Sequence, residues 1–121
     1  MKVKYHLLKN TGYALSGFKS LLLEERSFLI EFFIIIPLVV WVFYLPFNYF
    51  LKVLLVSVLI LILLTEALNS AIENVVDLIS PDYHPLAKKA KDCGSAAVFF
   101  SILNAILWWG LSLGYHYYFL N

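Results

Sequence analysis

Apolar residues dominate most of the chain, and polar residues interrupt them at only a few places. Residues 28–47 are almost entirely apolar and are long enough for a helix that crosses a hydrocarbon core, which needs about 20 residues. Residues 49–79 form a second run without proline or glycine, and residues 93–118 form a third. The pattern predicts three transmembrane helices over these ranges, joined by a short turn and by a polar loop over 80–92.

The N-terminal segment has a different pattern. In residues 1–26, lysines alternate with leucine and aromatic positions at spacings of three and four, which is typical of an amphipathic helix on a membrane surface. Gly12 and Gly17 are expected to bend or interrupt that helix. The predicted fold is all-α, with one surface helix and three membrane-spanning helices.

Composition supports a membrane protein of one domain, 1–121. Hydrophobic residues make up 62% of the 121 residues and charged residues 14%, whereas soluble domains carry about 25% charged residues. The formal net charge is only +1, so there is no basic field of the kind that attracts nucleic acid. We expect a membrane and no nucleic-acid partner.

The basic residues indicate how the chain is oriented in the membrane. Five of them precede residue 27, three lie in the 80–92 loop, and Lys52 stands alone near the first turn. Because cytosolic segments carry the excess of lysine and arginine, the N-terminus and the 80–92 loop are expected in the cytosol. The first turn and the C-terminus are then expected outside.

Polar residues form a stripe on the second predicted helix. They are Glu66, Asn69, Glu73 and Asp77, spaced three, four and four residues apart, which places them within an arc of roughly 80°. With a rise of 1.5 Å per residue from Lys52, Glu66 lies about 21 Å into a core of about 30 Å. The stripe therefore begins in the hydrocarbon and ends in water, where a lipid hydroxyl and a soluble co-substrate can meet.

A carboxylate at the depth of Glu66 costs about 2.5–3.5 kcal/mol, so it needs a function or a partner. One alternative is structural: Glu66 pairs with a lysine, or is protonated and hydrogen-bonded between helices. Asp77 is equally consistent with a solvated helix end. Clustered carboxylates with oxygen ligands favour Mg²⁺. Further charged residues are expected at the same membrane level, namely Glu24, Glu25, Glu31, Lys91 and Asp92.

The run EALNSAIENVVDLISPDYHPLAKKAKDCGSAAV, residues 66–98, closely resembles the signature of the prokaryotic diacylglycerol kinase family of small membrane lipid kinases. The N-terminal segment is similar as well, with Gly12, Tyr13 and Gly17 before the acidic Glu25 and Glu31. The resemblance covers essentially the whole chain. It implies ATP-dependent phosphorylation of diacylglycerol to phosphatidic acid in a bacterial inner membrane, by a homotrimer whose sites are shared between subunits.

The resemblance also implies roles for individual residues. Glu66 would be the general base that takes the proton of the lipid hydroxyl, supported by Asn69. Glu25 and Glu73 would hold the Mg²⁺ that bridges the ATP phosphates. The implied nucleotide contacts are Tyr13, Glu25, Glu73, Asp82, Tyr83, His84, Lys91 and Asp92. The implied substrate contacts are Glu31, Glu66 and Ser95. Where many relatives have an arginine in the surface helix, this chain has His6.

Two alternatives remain open. Some family members phosphorylate undecaprenol; the sequence from Gly94 to Val98 resembles the diacylglycerol branch, whereas HPLAKKAKD resembles the undecaprenol branch. A non-enzymatic cation conduit or assembly subunit would need polar residues along the outer half of a helix. Between residues 53 and 64 the second helix offers only Ser57, which favours chemistry at the cytosolic face.

Overall fold

The computed structural model describes residues 7–119, which form four α-helices. Helix α1 spans Leu7–Glu24, α2 spans Arg26–Val42, α3 spans Tyr49–Ile79 and α4 spans Pro85–Phe119. The two long helices, α3 and α4, form the main packing interface, and α2 packs against α3. The all-α class predicted from the sequence is confirmed.

The apolar core lies between α2, α3 and α4. Leu55, Val58 and Leu59 of α3 are buried against Ala105 and Trp109 of α4. The indole Nε1 of Trp109 donates a hydrogen bond of 3.2 Å to the Leu55 carbonyl oxygen. This bond links the two helices at the centre of the core and leaves no buried indole N–H without a partner.

Helix α3 coincides with the helix predicted over 49–79. Its start is capped by Asn48, whose side chain accepts a hydrogen bond of 2.8 Å from the Leu51 backbone N–H. Its end lies immediately before Ser80 and Pro81, and a residue that precedes proline is disfavoured in the helical conformation. The polar stripe therefore lies on one continuous helix.

The predicted range 28–47 is wrong at both ends, because α2 begins at Arg26 and ends at Val42. After Val42 the chain makes tighter i→i−3 hydrogen bonds, from Phe43 to Val40 and from Leu45 to Val42, each 3.2 Å long. Pro46 then prevents the helix from continuing.

The predicted 80–92 loop is also largely wrong, because α4 begins at Pro85 rather than at residue 93. Proline suits the first helical position, and the Nδ1 of His84 accepts a hydrogen bond of 3.1 Å from the Leu86 N–H. The alanines and lysines that follow are good helix formers. Only residues 80–84 connect α3 to α4.

Helix α1 runs without interruption through Gly12 and Gly17, so the expected interruption is wrong. Each glycine costs about 1 kcal/mol relative to alanine, and the neighbouring leucine, lysine and alanine residues offset that cost. None of the residues in α1 is buried. Phe18 joins it to α2 through edge-on contact with Phe32 at a ring-centroid distance of 5.4 Å. His6 and the rest of residues 1–6 lie outside the described residues.

The surface is typical of a protein that contacts lipid. Helices α3 and α4 are each long and apolar enough to cross a membrane. Large hydrophobic side chains are exposed along α2, α3 and α4, including Phe33, Leu64 and Phe100. Exposed apolar surface of this extent is unusual on a soluble monomer, so these helix faces suit a hydrocarbon environment.

Candidate active site

The polar stripe of α3 passes from buried to exposed along the helix. Glu66 and Asn69 are 7% and 8% exposed, Glu73 is half-buried, and Asp77 is exposed. Within the stripe, the Asn69 Nδ2 donates a hydrogen bond of 3.1 Å to the Glu73 Oε1. This bond restricts the rotation of the Glu73 carboxylate, so the stripe contains one acid in the interior and one positioned acid near its boundary.

Glu31 of α2 faces the interior end of the stripe. Its carboxyl group is a neighbour of the Glu66 carboxyl group, and its Oε2 is buried without a hydrogen-bond partner among the described residues. The described ion pairs do not include Glu66, so lysine pairing of that residue is not found there.

Glu25 lies at the junction between α1 and α2. It has an extended backbone conformation, with φ −112° and ψ 102°, and its side chain makes no capping hydrogen bond. Glu25 and Glu73 both lie close enough to Glu66 to repel its negative charge. The bend between the two helices thus brings a third carboxylate to the α3 stripe, and like charges at one place attract a cation.

The carboxylates near Glu66 suit only one mode of Mg²⁺ binding. Within residues 7–119, no group of three His, Cys, Asp or Glu side chains is arranged to hold a metal ion by itself. Mg²⁺ in nucleotide sites is commonly held by one or two carboxylates together with phosphate oxygens. Glu25 and Glu73 fit that mode of binding, in which the nucleotide completes the coordination.

A cavity of about 400 Å³ lies where α3 ends and α4 begins. It brings together five residues that the sequence assigned to nucleotide binding, namely Asp82, Tyr83, His84, Lys91 and Asp92. Asp77 and Lys88 line it as well. Segment 80–84 and the first turns of α4 therefore line the same polar cavity.

Two ion pairs cross or border this cavity. The Lys91 Nζ donates to the Asp77 Oδ1 at 2.6 Å, and the Lys88 Nζ donates to the Asp92 Oδ2 at 2.6 Å. The hydrogen bond to Asp77 raises the pKa of Lys91 above its ordinary value of 10.5. Lys91 is thus a cation throughout the neutral pH range, and a bound phosphate would have to compete with Asp77 for it.

Comparison with known proteins identifies the family. The profile of the prokaryotic diacylglycerol kinase family matches residues 12–113. This chain belongs to that family.

Named relatives agree with this assignment over most of the chain. The kinase is similar to proteins named "Diacylglycerol kinase" from Escherichia coli (strain K12), with 38% identity over 92% of this chain and 91% of the relative. The relative from Pseudomonas aeruginosa is 37% identical, over 88% of this chain and 87% of its own length. The relative from Helicobacter pylori is 35% identical, over 86% of this chain and 81% of its own length. Membership of an enzyme family does not favour the cation-conduit alternative.

Tyr13 and Ser95, for which the resemblance implies binding roles, lie outside the two cavities and the cluster of carboxylates. Tyr13 is exposed on α1 and lines neither the 400 Å³ cavity nor a smaller one of about 240 Å³ beside Glu25. Ser95 lies on the exposed side of α4, next to the buried Gly94. The single chain of the kinase therefore brings Glu25, Glu31 and Glu73 to Glu66, but it does not bring Tyr13 or Ser95 into either cavity.

Several contacts between α3 and α4 were not predicted from the sequence. The hydroxyl groups of Thr65 and Ser101 are hydrogen-bonded at 2.8 Å, and Gly94 lies directly against the Asn69 amide. A signal was present, because Gly94, Ser101 and Ala105 are spaced seven and four residues apart. That spacing is typical of one helix face with small residues at a close helix crossing.

Proposed function

We propose that this kinase transfers the γ-phosphate of ATP to the hydroxyl group of diacylglycerol, giving phosphatidic acid and ADP, at the cytosolic face of a bacterial inner membrane. The observation that carries the proposal is the stripe from the buried Glu66 to the half-buried Glu73 in a chain of this family. Lipid reaches one end of such a stripe, and nucleotide reaches the other.

In the proposed reaction, Glu66 accepts the proton of the lipid hydroxyl while that oxygen attacks the γ-phosphorus. The bond from the γ-phosphorus to the bridging oxygen breaks, and ADP leaves with the electron pair. Glu31 lies beside Glu66, so in the proposed site it helps to orient the base and contacts the substrate. When bound, Mg²⁺ neutralises the negative charge of the phosphates.

The metal and nucleotide contacts follow from the same geometry. Glu25 and Glu73 would hold Mg²⁺, and Asn69 supports the site through its hydrogen bond to Glu73. The cavity beside segment 80–84 would take part of the nucleotide, with Lys91 exchanging Asp77 for phosphate. The remaining proposed nucleotide contacts are Tyr13, Asp82, Tyr83, His84 and Asp92, and the remaining proposed substrate contact is Ser95.

The proposed assembly is a homotrimer in which each chain crosses the membrane three times. Helix α2 has 17 residues, and the turn that continues it to Leu45 extends its apolar length toward the roughly 20 residues that a span requires. The proposed topology has the N-terminus and segment 80–84 in the cytosol and the C-terminus outside. A neighbouring subunit would supply the parts of the site that one chain leaves open, including a cover for the exposed Asp77.

Diacylglycerol is favoured over undecaprenol as the acceptor. The relatives from three bacterial species are named for diacylglycerol. We expect purified kinase in detergent to transfer labelled γ-phosphate from ATP to a short-chain diacylglycerol much faster than to a polyprenol. Faster transfer to the polyprenol would contradict the proposed substrate.

The role of Glu66 is tested by Glu66→Gln, which keeps the size of the side chain and removes its basicity. We expect turnover to fall by about 10²–10⁴-fold while the helix content by circular dichroism stays unchanged. Glu24→Gln is the matched control, because Glu24 is exposed at the end of α1 and has no proposed role in the site. Near-normal turnover of Glu66→Gln would exclude it as the base.

A further inference from the structure

Gly94 of α4 is buried and lies against Asn69 of the α3 stripe. A Cβ atom added there would clash with the Asn69 Oδ1 and would lie 3.3 Å from the Asn69 Cγ. The next neighbour, the Ile72 Cδ1, would be at an ordinary 3.7 Å. The space that a side chain at position 94 would occupy is thus already filled by the Asn69 amide.

The orientation of this amide is determined by Glu73. A carboxylate only accepts hydrogen bonds, so the amide must direct its Nδ2 toward Glu73, as the bond of 3.1 Å shows. The Oδ1 then points toward Gly94, where it is buried and has no hydrogen-bond partner among the described residues. An unpaired buried oxygen has a cost, which the bond to Glu73 and the close packing against the glycine offset.

We propose that Gly94 is a positioning residue of the kinase: because it has no side chain, the Asn69 amide lies between α3 and α4 and holds the Glu73 carboxylate in place. The proposal rests on the proposed function only for the role of Glu73 in binding Mg²⁺ and ATP. Any larger residue at 94 displaces the amide and releases Glu73, although neither Asn69 nor Glu73 has been changed.

The first test compares Gly94→Ala with Gly110→Ala. Both glycines lie on α4, and a Cβ added at Gly110 meets nothing within 4 Å, so the control adds the same methyl group to the same helix without a clash. We expect Gly94→Ala to raise the KM for Mg²⁺-ATP by about tenfold or more, as the loss of a residue that orients a metal ligand does. The KM for diacylglycerol should stay unchanged, and Gly110→Ala should behave as the wild type. Equal kinetics for the two variants would overturn the proposal.

The second test needs no activity and compares thermal unfolding of four proteins: wild type, Gly94→Ala, Asn69→Ala and the double variant. We expect Gly94→Ala to lower Tm when Asn69 is present but not when residue 69 is alanine, because the clashing amide is then gone. This comparison also applies if Gly94→Ala alone fails to fold, since the double variant should fold. An equal loss of Tm in both backgrounds, or a double variant that does not fold, would overturn the proposal. Failure of the Glu66 test would leave this coupling measurable, so the two ideas fail separately.

Discussion

In the half of the α3–α4 pair that contains Leu55 and Trp109, large apolar side chains fill the interface, whereas small and polar side chains fill the half that contains Asn69 and Gly94. We refer to these as the apolar half and the polar half. In the apolar half, Leu55 is fully buried, and within residues 7–119 the only interhelical hydrogen bond of this half is the one from Trp109. In the polar half, Gly94 has no side chain, and the Asn69 amide fills the space that a side chain at position 94 would occupy.

The difference shows how one helix pair can carry both stability and chemistry. Large side chains interdigitate in the apolar half and keep the two helices together. Small residues let the two helices pack closely in the polar half, where Gly94 lies directly against the Asn69 amide. We therefore expect substitutions in the polar half to change activity and substitutions in the apolar half to change stability.

After Glu66→Gln, the largest expected effect is that of Glu73→Gln, which removes a charge from the polar half. We expect turnover to fall by about 100-fold or more, because a charged group that stabilises the transition state is lost. Restoring part of the activity at high Mg²⁺ concentration would be consistent with a weakened metal site. The assay is γ-phosphate transfer to diacylglycerol over a range of Mg²⁺ concentrations, with Glu24→Gln as the control. Wild-type turnover and Mg²⁺ dependence would contradict the role of Glu73.

A smaller effect is expected for Lys91→Gln at the edge of the polar half. Loss of a charged phosphate contact should raise the KM for ATP by about tenfold, with the KM for diacylglycerol unchanged. Lys89→Gln is the matched control, since Lys89 is exposed on the same helix. Because hydrogen bonding to Asp77 raises the pKa of Lys91, this side chain stays positively charged at the neutral pH of the assay, and the loss of its charge in the variant is what the assay measures. An unchanged KM for ATP would exclude the phosphate contact.

In the apolar half, Trp109→Phe should reduce stability without changing the chemistry. The variant loses the indole hydrogen bond to the Leu55 carbonyl oxygen and part of the packed side-chain volume. We expect these two losses to lower the free energy of unfolding by about 1–2 kcal/mol. Unfolding in mixed detergent micelles measures this, and turnover per folded molecule should equal that of the wild type. Trp108→Phe changes the neighbouring tryptophan, which is 43% exposed, and serves as the control. A loss of turnover without a loss of stability would break the distinction between the two halves.

The smallest effect is expected where the two halves meet, at the hydrogen bond between Thr65 and Ser101. Thr65→Val keeps the shape of the side chain and removes this bond together with the bond of 3.0 Å from the Thr65 hydroxyl to the Ile62 carbonyl oxygen of its own helix. Loss of the interhelical bond should lower the free energy of unfolding by about 0.6 kcal/mol, the average for such bonds in membranes. Thr11→Val on α1 is the control, because the Thr11 hydroxyl bonds only to a carbonyl oxygen of its own helix among the described residues. If both variants unfold alike, the interhelical bond does not contribute to stability.

The sequence predicted the features that depend on spacing along one helix. The limits of α3 follow from Asn48 and Pro81, and the common face of Glu66 and Asn69 follows from the helical repeat. The early start of α4 was missed, although Pro85 is a known signal for the first position of a helix. The lysines that follow are typical of a polar loop, but charged residues also form helices when the end is capped.

The apolar helices, the family and the stripe of polar residues on α3 can all be predicted from the order of the amino acids. The contacts between helices cannot: that Glu31 faces Glu66, that Lys91 pairs with Asp77 and that Gly94 makes room for Asn69 became visible in the folded chain. Helical periodicity specifies which residues share a face of one helix. The rotation and axial offset of one helix against another depend on how all the side chains between them pack.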